Sequence, residues 1–259
     1  MKKLLALVLA ICLLAVPLIG CGKQDAAPAD TQAAPAATTS AKKENTLFRH
    51  GLLAVKQGDK WGYIDKSGSY VIQPQFDWAF DFADNGLAPV TLNGKRGYID
   101  KSGAYVIQPQ FDDAWDFADN GLAAVKQNDR WGYIDENGNI VIQPQFDEVK
   151  GFSDNGLAAV KQNDKWGYID GSGNVVIQPQ FEETEAFSEN GLAMVEQNGK
   201  YGWIDKSGSY VIQPQYVQTT DFFEDGFAAV HAKDGKWGVI DKSGKYIITP
   251  IWDGICFYG

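Results

Sequence analysis

The amino-acid sequence predicts an all-β protein built as a tandem array of six antiparallel units of about 35 residues. Three observations predict this class. The stretch "DKWGYID" at 59–65 returns five times in close variants. Short runs rich in β-branched and aromatic residues alternate with turn-forming residues within each period. A fixed period of this length is typical of stacked supersecondary units, so the recurring heptapeptide indicates a building element rather than a single catalytic site.

The repeats are counted from Leu47 and fill the chain almost to its last residue. Five units are 35 residues long, and the sixth has one additional residue near His231–Ala232. The predicted units are 47–81, 82–116, 117–151, 152–186, 187–221 and 222–258, within a repeat domain of 47–259.

Each unit is predicted to be a three-stranded antiparallel meander. Asn128-Asp129 separates two β-type runs, and both residue types tolerate the positive φ of a two-residue hairpin turn. The next turn, "DENG" at 135–138, has the Asp and Gly positions of a type I turn. Pro144 lies in the third run, which indicates a strand at the edge of a sheet or the end of a strand. A connector of about ten residues follows and contains a Phe expected to be buried, Phe152 in this unit.

Strand register divides the side chains of a unit between two faces, because successive side chains point to opposite sides. In the third unit we expect an aliphatic core face made of Ala123, Val125, Ile134, Ile140 and Ile142. We expect the second face to be made of Ala124, Lys126, Trp131 and Tyr133. The Trp position is occupied by Arg96 in the second unit, and a buried unpaired guanidinium would be costly, so this position should be partly exposed.

The aromatic face has three interpretations. The rings could pack between neighbouring units, or they could form a ladder open to a ligand such as a glycan. The third interpretation is recognition of a protein along an extended acidic surface. The candidate ligand-facing residues are Trp61, Tyr63, Trp131, Tyr133, Trp166, Tyr168, Trp203 and Trp237.

The recurring W-G-x-I-D, V-I-x-P and G-L-A-x-V stretches resemble those of the WG (KWG) repeat family of bacterial proteins. The resemblance covers 47–258. It implies a repeat protein with no defined reaction.

For the array as a whole, we predict an open, twisted β-solenoid. The alternative is a six-bladed β-propeller, whose blades usually have four strands where this pattern predicts three. The repeat array begins and ends at the same position within the 35-residue unit. The pattern therefore shows no strand from one end of the array that would complete a blade at the other end, as in a closed propeller.

The first 20 residues are typical of a bacterial lipoprotein signal peptide. Lys2 and Lys3 precede an apolar run at 4–16, which is too short to span a bilayer. "LIGC" at 18–21 resembles a lipobox, which implies cleavage before Cys21 and lipid attachment to it. The Ala-, Pro- and Thr-rich segment 21–46 is a predicted disordered linker. We therefore expect an extracytoplasmic lipoprotein held to a membrane through Cys21, on the cell surface or the periplasmic face.

Charge and cysteine content exclude some partners and bonds. The chain has 23 basic and 33 acidic residues, and loss of the signal peptide removes two lysines, leaving 21 minus 33, or −12. A protein without a basic footprint is not expected to bind nucleic acid. With Cys12 in the signal peptide and Cys21 lipidated, Cys256 has no partner for an internal disulfide.

No catalytic constellation repeats or stands out. His50 and His231 are the two histidines, and "DENGN" at 135–139 lacks the Gly and Glu of an EF-hand loop. The acidic run of Glu182, Glu183 and Glu185 reads as a solvated connector. We expect no cofactor, no metal and no enzyme activity. The predicted function is a non-catalytic scaffold that binds a protein or other macromolecule. A glycan- or cell-wall-binding module is the alternative, and an enzyme is the remote one.

Overall fold

A computed structural model describes residues 47–223 and 225–255 of the 259-residue chain. The predicted signal peptide, Cys21, the linker and Cys256 lie outside the described residues. The described part contains 23 strands and forms six antiparallel sheets that follow one another along the chain, none of which closes on itself. The all-β class and the tandem array of antiparallel units are confirmed.

Three strands of each sheet come from one repeat. The first strands are Leu53–Gln57 (β1), Ala88–Leu92 (β5), Ala123–Gln127 (β9), Leu157–Gln162 (β13), Ala193–Gln197 (β17) and Phe227–His231 (β21). The second strands are Lys60–Ile64 (β2), Lys95–Ile99 (β6), Arg130–Ile134 (β10), Lys165–Asp170 (β14), Lys200–Ile204 (β18) and Trp237–Asp241 (β22). The third strands are Tyr70–Phe76 (β3), Tyr105–Phe111 (β7), Ile140–Phe146 (β11), Val175–Phe181 (β15), Tyr210–Tyr216 (β19) and Tyr246–Trp252 (β23).

A fourth strand, which the sequence pattern did not reveal, joins sheets two to six from the preceding connector. These connector strands are Trp78–Ala79 (β4), Asp113–Ala114 (β8), Glu148–Phe152 (β12), Glu183–Thr184 (β16) and Gln218–Thr219 (β20). Each pairs with the first strand of the following repeat, so every connector ties one repeat to the next. The first sheet has three strands.

The predicted turns are confirmed. Asn128 and Asp129 have φ of 52° and 62°, and the strands that they join pair Gln127 with Arg130. In the second turn, Gly138 donates its N–H to the carbonyl of Asp135 at 2.9 Å. The third strand, with its proline, lies at the edge of each sheet, as the position of Pro144 predicted.

The glycine of the W-G motif permits the third strand to cross close to the second. A Cβ atom on Gly132 would lie 2.4 Å from the carbonyl oxygen of Ile142 and 2.6 Å from the nitrogen of Pro144. The other five motif glycines would meet their own third strands at 2.4 to 2.7 Å. No larger residue fits at this position without moving the backbone.

The face assignment holds for the first two strands and needs correction for the third. Ile134 is fully buried with Ala123 and Val125, as expected. Ile142 pairs with Tyr133 and packs on the aromatic face, because the register shifts between Trp131, Tyr133 and Ile134. Ile140, which pairs with Ile134, is exposed.

Five hydrophobic clusters hold the array together, and each joins two consecutive sheets. The aromatic face of one sheet, such as Tyr98 and Phe111, packs against the aliphatic face of the next, such as Val125 and Ile134. The other four clusters repeat this arrangement between the first and second, third and fourth, fourth and fifth, and fifth and sixth sheets. The core is therefore divided into layers between sheets.

Candidate functional site

Six of the eight candidate ligand-facing rings are buried between sheets. The buried rings are Tyr63, Trp131, Tyr133, Trp166, Tyr168 and Trp203. Trp61 and Trp237 are half-buried. The prediction of a solvent-facing ladder is therefore corrected for the six buried rings, because the next sheet covers the face on which they lie. Their location agrees with the interpretation in which the rings pack between neighbouring units.

The tyrosines of this face hold the next connector in place. The hydroxyl of Tyr63 donates to the carbonyl of Phe80 at 2.7 Å, and that of Tyr98 donates to the carbonyl of Trp115 at 2.7 Å. Tyr133 makes the same bond to Lys150 at 2.9 Å. Burial raises the pKa of all three hydroxyls, so they remain protonated donors. These three tyrosines therefore have a structural role.

A set of positions that differ between repeats lies in rows across the sheets. In sheets two to six, each row begins at a connector residue, which pairs with a residue of the first strand. That residue pairs with one of the second strand, and the row ends at the aromatic residue of the third strand. We call the first three positions the variable row of each sheet. The rows are Trp78–Thr91–Arg96, Asp113–Lys126–Trp131, Glu148–Lys161–Trp166, Glu183–Glu196–Tyr201 and Gln218–His231–Trp237.

The row of the second sheet is aromatic and cationic. Trp78 is 48% exposed, and its ring contacts Trp61 of the first sheet at 5.0 Å between centroids. The Arg96 guanidinium lies 4.8 Å from the ring centroid of Phe80, and it donates to the Ala114 carbonyl at 2.8 Å. Arg96 thus has partners in place of the missing tryptophan contacts. Its side chain is partly exposed, as predicted for this position, but Trp131 and Trp166 at the corresponding positions are buried, so the prediction does not hold for those two sheets.

The charged residues of the variable rows differ from one sheet to the next. In the third sheet Asp113 pairs with Arg96 of the second sheet, and Trp115 extends the aromatic surface by contacting Trp131 at 5.0 Å. In the fourth sheet Lys161 binds Glu148 at 2.7 Å and lies 5.7 Å from the Trp166 ring centroid.

The rows of the fifth and sixth sheets are acidic and neutral, respectively. In the fifth sheet Glu183 lies directly opposite Glu196, an arrangement of like charges that disfavours the folded state. Burial and the charges of both glutamates raise the pKa of the adjacent Tyr201. In the sixth sheet His231 stacks on Trp237 at 4.9 Å with an interplanar angle of 22°.

Sequence reasoning missed the connector positions of this surface. Trp78 and Trp115 lie in connectors that carried no recognisable strand pattern, and both are exposed. A comparison of the repeats with one another could have found them. Corresponding core positions hardly change, whereas position 78 becomes Asp, Glu, Glu and Gln in the following repeats.

A cavity between connectors is a weaker candidate site than the variable rows. Three connector loops and Lys242 line this open cavity of about 550 Å³, and the lining includes Ser153, Phe187, Asn190 and Phe222.

Within residues 47–223 and 225–255, no group of three or more His, Cys, Asp and Glu side chains could hold a metal ion. No helix in that part of the chain is long and apolar enough to cross a membrane.

The chain is similar to several solved structures at low sequence identity. It superposes on a eukaryotic initiation factor with a TM-score of 0.53 and 12% identity, over 76% of this chain and 62% of the other, and this similarity concerns the fold alone. Hsv2p of Kluyveromyces lactis gives a TM-score of 0.45 at 11% identity, over 74% of this chain and 71% of that one. BamB of Moraxella catarrhalis gives a TM-score of 0.43 at 14% identity, over 76% of this chain and 68% of that one.

Comparison with curated proteins gives no matching relative. The family model described as "WG containing repeat" matches six times, at residues 61–95, 97–131, 131–166, 166–201, 201–237 and 237–258. These matches cover well over half of the chain, which therefore belongs to the WG containing repeat family.

Proposed function

We propose that this protein is a non-catalytic, lipid-anchored extracytoplasmic scaffold that binds a protein partner through its variable rows. The observation that carries the proposal is the contrast within each repeat. Core and turn positions are nearly constant, whereas the paired positions from Trp78 to Trp237 change in charge, size and aromaticity. A rigid repeated scaffold with differing surface positions can present a distinct recognition surface along its length.

The chemistry of the rows suits a protein with both apolar and basic segments. Trp78 and Arg96 of the second sheet's row, and Trp115 beside the third sheet's row, belong to the residue types that contribute most binding energy at protein interfaces. Further along the array, Glu183 and Glu196 lie side by side, which would favour a cationic segment of the partner. The partner would therefore contact aromatic residues at the second and third sheets and acidic residues at the fifth.

The geometry of the rings favours a protein over a polysaccharide. Stacking on a sugar needs exposed ring faces that follow the ligand. Trp61 and Trp78 are inclined to one another by 47°, and Trp115 and Trp131 by 55°. Glycan binding therefore becomes an outcome of the test rather than the proposal.

The attachment and the absence of catalysis rest on the sequence and on the histidine environments. Lys2, Lys3, the apolar run and "LIGC" support lipid attachment to Cys21 and an extracytoplasmic location. His231 stacks on Trp237, and His50 lies 3.8 Å from the exposed Asp84; neither contact is the hydrogen bond between a nucleophile and a base on which covalent catalysis depends.

Photo-cross-linking in living cells tests the proposal. A photoreactive amino acid replaces Trp78, Trp115 or Glu183, and as a control it replaces Val106, which is similarly exposed but lies on a third strand outside the rows. We expect a discrete cross-linked protein from Trp78 and Glu183 in the rows and from Trp115 beside them, and none from Val106. The same adduct from all four positions, or from none, would contradict binding through the rows.

The partner identified in this way is then measured against charge and ring variants. Glu183→Gln with Glu196→Gln should weaken binding and reduce its salt dependence, because the attraction of a basic segment is screened by salt. Trp78→Ala with Trp115→Ala should weaken binding at all salt concentrations. Saturable quenching of tryptophan fluorescence by peptidoglycan fragments or a polysaccharide, with no protein adduct, would replace the protein proposal with the glycan one.

A further inference from the structure

The last sheet of the array leaves apolar side chains uncovered that are buried in every other sheet. Ile248 is 45% exposed, whereas its counterparts in the five preceding sheets are 3 to 4% exposed. The aromatic residue that ends the third strand is at most 4% exposed in the first five sheets and 53% exposed at Trp252. The face that packs on the next sheet elsewhere in the array is therefore exposed on the sixth sheet.

The first sheet leaves the complementary face open. Between consecutive sheets, the isoleucine of one sheet fits against the turn glycine of the next, and a Cβ atom on that glycine would lie 3.1 to 3.3 Å from the isoleucine side chain. Ile72 and Gly103 form the first such pair, and Ile212 and Gly244 form the last. Gly68 is the corresponding turn glycine of the first sheet, and it has nothing within 4 Å of its Cβ position.

In the first three repeats, the aspartate that follows the third strand links two sheets. Asp77 accepts from Lys60 of its own repeat at 2.6 Å and from the backbone N–H of Asn93 in the next hairpin turn at 2.6 Å. Asp112 and Asp147 make the same two kinds of contact. Asp253 pairs with Lys236 in its own repeat, and its side chain is 91% exposed, whereas that of Asp77 is 38% exposed. By the repeat register, its missing donor corresponds to the N–H of Gly58.

The first sheet also lacks the strand that the preceding connector supplies elsewhere. Among the described residues its order is β1-β2-β3, and no described strand pairs with the outer edge of β1, whereas β5, β9, β13, β17 and β21 are each covered by a connector strand. Gly254 and Ile255 follow β23 at the same phase at which Trp78 and Ala79 follow β3. In the other repeats, a segment at this phase pairs with the first strand of the next sheet.

We propose that a second copy of this chain docks head to tail, with the sixth sheet of one molecule packing against the first sheet of the next. Both halves of the interface are on the same chain. They match all five internal interfaces in the isoleucine, the turn glycine that it fits against and the position of the connector segment, and they match the first three in the linking aspartate. Docking of a second copy therefore uses the kinds of contact that already join consecutive sheets within one chain. A heterologous contact of this kind leaves one free end on each molecule, so it extends into a linear assembly. The inference goes beyond the proposed function and does not depend on it.

Paired variants test the assembly. The full mature chain with Cys21→Ser serves as the parent, because this substitution removes the proposed lipid acceptor. Ile248→Lys places a charge on the exposed face of the sixth sheet. Gly68→Asn fills the open space at the turn glycine of the first sheet, since asparagine tolerates the φ of 81° at this turn. Gly156→Asn is the control, because Gly156 has a φ of 82° and nothing within 4 Å of its Cβ position.

Sedimentation velocity measures the outcome. The parent and the Gly156→Asn variant should form dimers and longer species as concentration rises, whereas Ile248→Lys and Gly68→Asn should each remain monomeric. A mixture of the two monomeric variants should give one-to-one dimers and nothing larger, because each retains one intact end. Circular dichroism confirms that all variants are folded. A parent that stays monomeric up to its solubility limit would overturn the proposal, and so would dimers of Gly68→Asn alone, which would indicate pairing of two sixth sheets.

Discussion

The carbonyl oxygen of Ile142 lies 2.4 Å from the position that a Cβ atom on Gly132 would occupy. The contact is with backbone, so no side-chain rotation can relieve it. It results from the bulge by which Trp131 pairs with Phe146 while Tyr133 pairs with Ile142. The third strand crosses the motif glycine at this bulge in all six repeats. The W-G motif is therefore a requirement of the strand crossing and not of a ligand.

The first prediction concerns this crossing. Gly132→Ala should destabilise the protein by about 1–3 kcal/mol, the usual cost of forcing additional atoms into a packed site. Gly151→Ala is the matched control, because Gly151 has nothing within 4 Å of its Cβ position and does not have a positive φ. Urea denaturation of both variants measures the difference. Equal stabilities would show that the third strand does not pass as closely as described.

The second prediction compares the two faces of one strand. Ile134→Ala should cost about 2–5 kcal/mol, because Ile134 is fully buried in the cluster between the second and third sheets. Trp131→Arg should cost less, because Arg96 already occupies this position in the second sheet and pairs with Asp113, whose counterpart here is Glu148. Urea denaturation ranks the two variants. A greater loss for Trp131→Arg would mean that the variable row tolerates no charge at this position.

The local features of the fold could be predicted from the sequence because neighbouring residues determine them. Asn128 and Asp129 adopt the positive φ that a two-residue hairpin requires, and that turn determines the pairing of Trp131 with Lys126. The constant isoleucine, here Ile134, is buried as the pattern indicated.

What could not be predicted depends on contacts between repeats. The bulge that turns Ile142 to the aromatic face arises where the third strand crosses Gly132, and strict alternation cannot reveal it. Trp78 and Ala79 form a strand of two residues that exists only because β5 of the next repeat pairs with it. For the same reason, the burial of Trp203 follows from stacking of the sixth sheet and not from its own strand.

The third prediction concerns attachment. Cys21→Ser should remove the lipid acceptor and release the protein into the aqueous phase of a detergent phase separation, or leave it uncleaved, whereas the wild-type chain should enter the detergent phase. Metabolic labelling with a fatty acid provides the second readout, with Cys256→Ser as the control that should remain labelled. Recovery of the wild-type chain in the aqueous phase, without label, would disprove attachment through Cys21.

The fourth prediction concerns acid. The Asp135 carboxylate accepts hydrogen bonds from the side-chain amide of Asn139 at 2.9 Å and from its backbone N–H at 2.8 Å. These donors, with the N–H of Asn137, hold the pKa of Asp135 below its usual value. Hydrogen bonds likewise lower the pKa at the corresponding turn positions of the other five repeats, which are Asp65, Asp100, Asp170, Asp205 and Asp241.

A carboxyl group whose pKa is lower in the folded state stabilises the fold above its unfolded pKa, about 3.9, and loses this contribution as the pH falls through the folded pKa. Stability should therefore decrease steeply below about pH 4. Replacing the six turn aspartates with asparagine keeps an acceptor oxygen at each turn but removes the titrating group. Urea midpoints measured from neutral to acidic pH should fall less in this variant than in the wild type. Parallel curves for the two proteins would assign the acid sensitivity to other carboxylates, such as Asp77 and Asp112 beside their lysines.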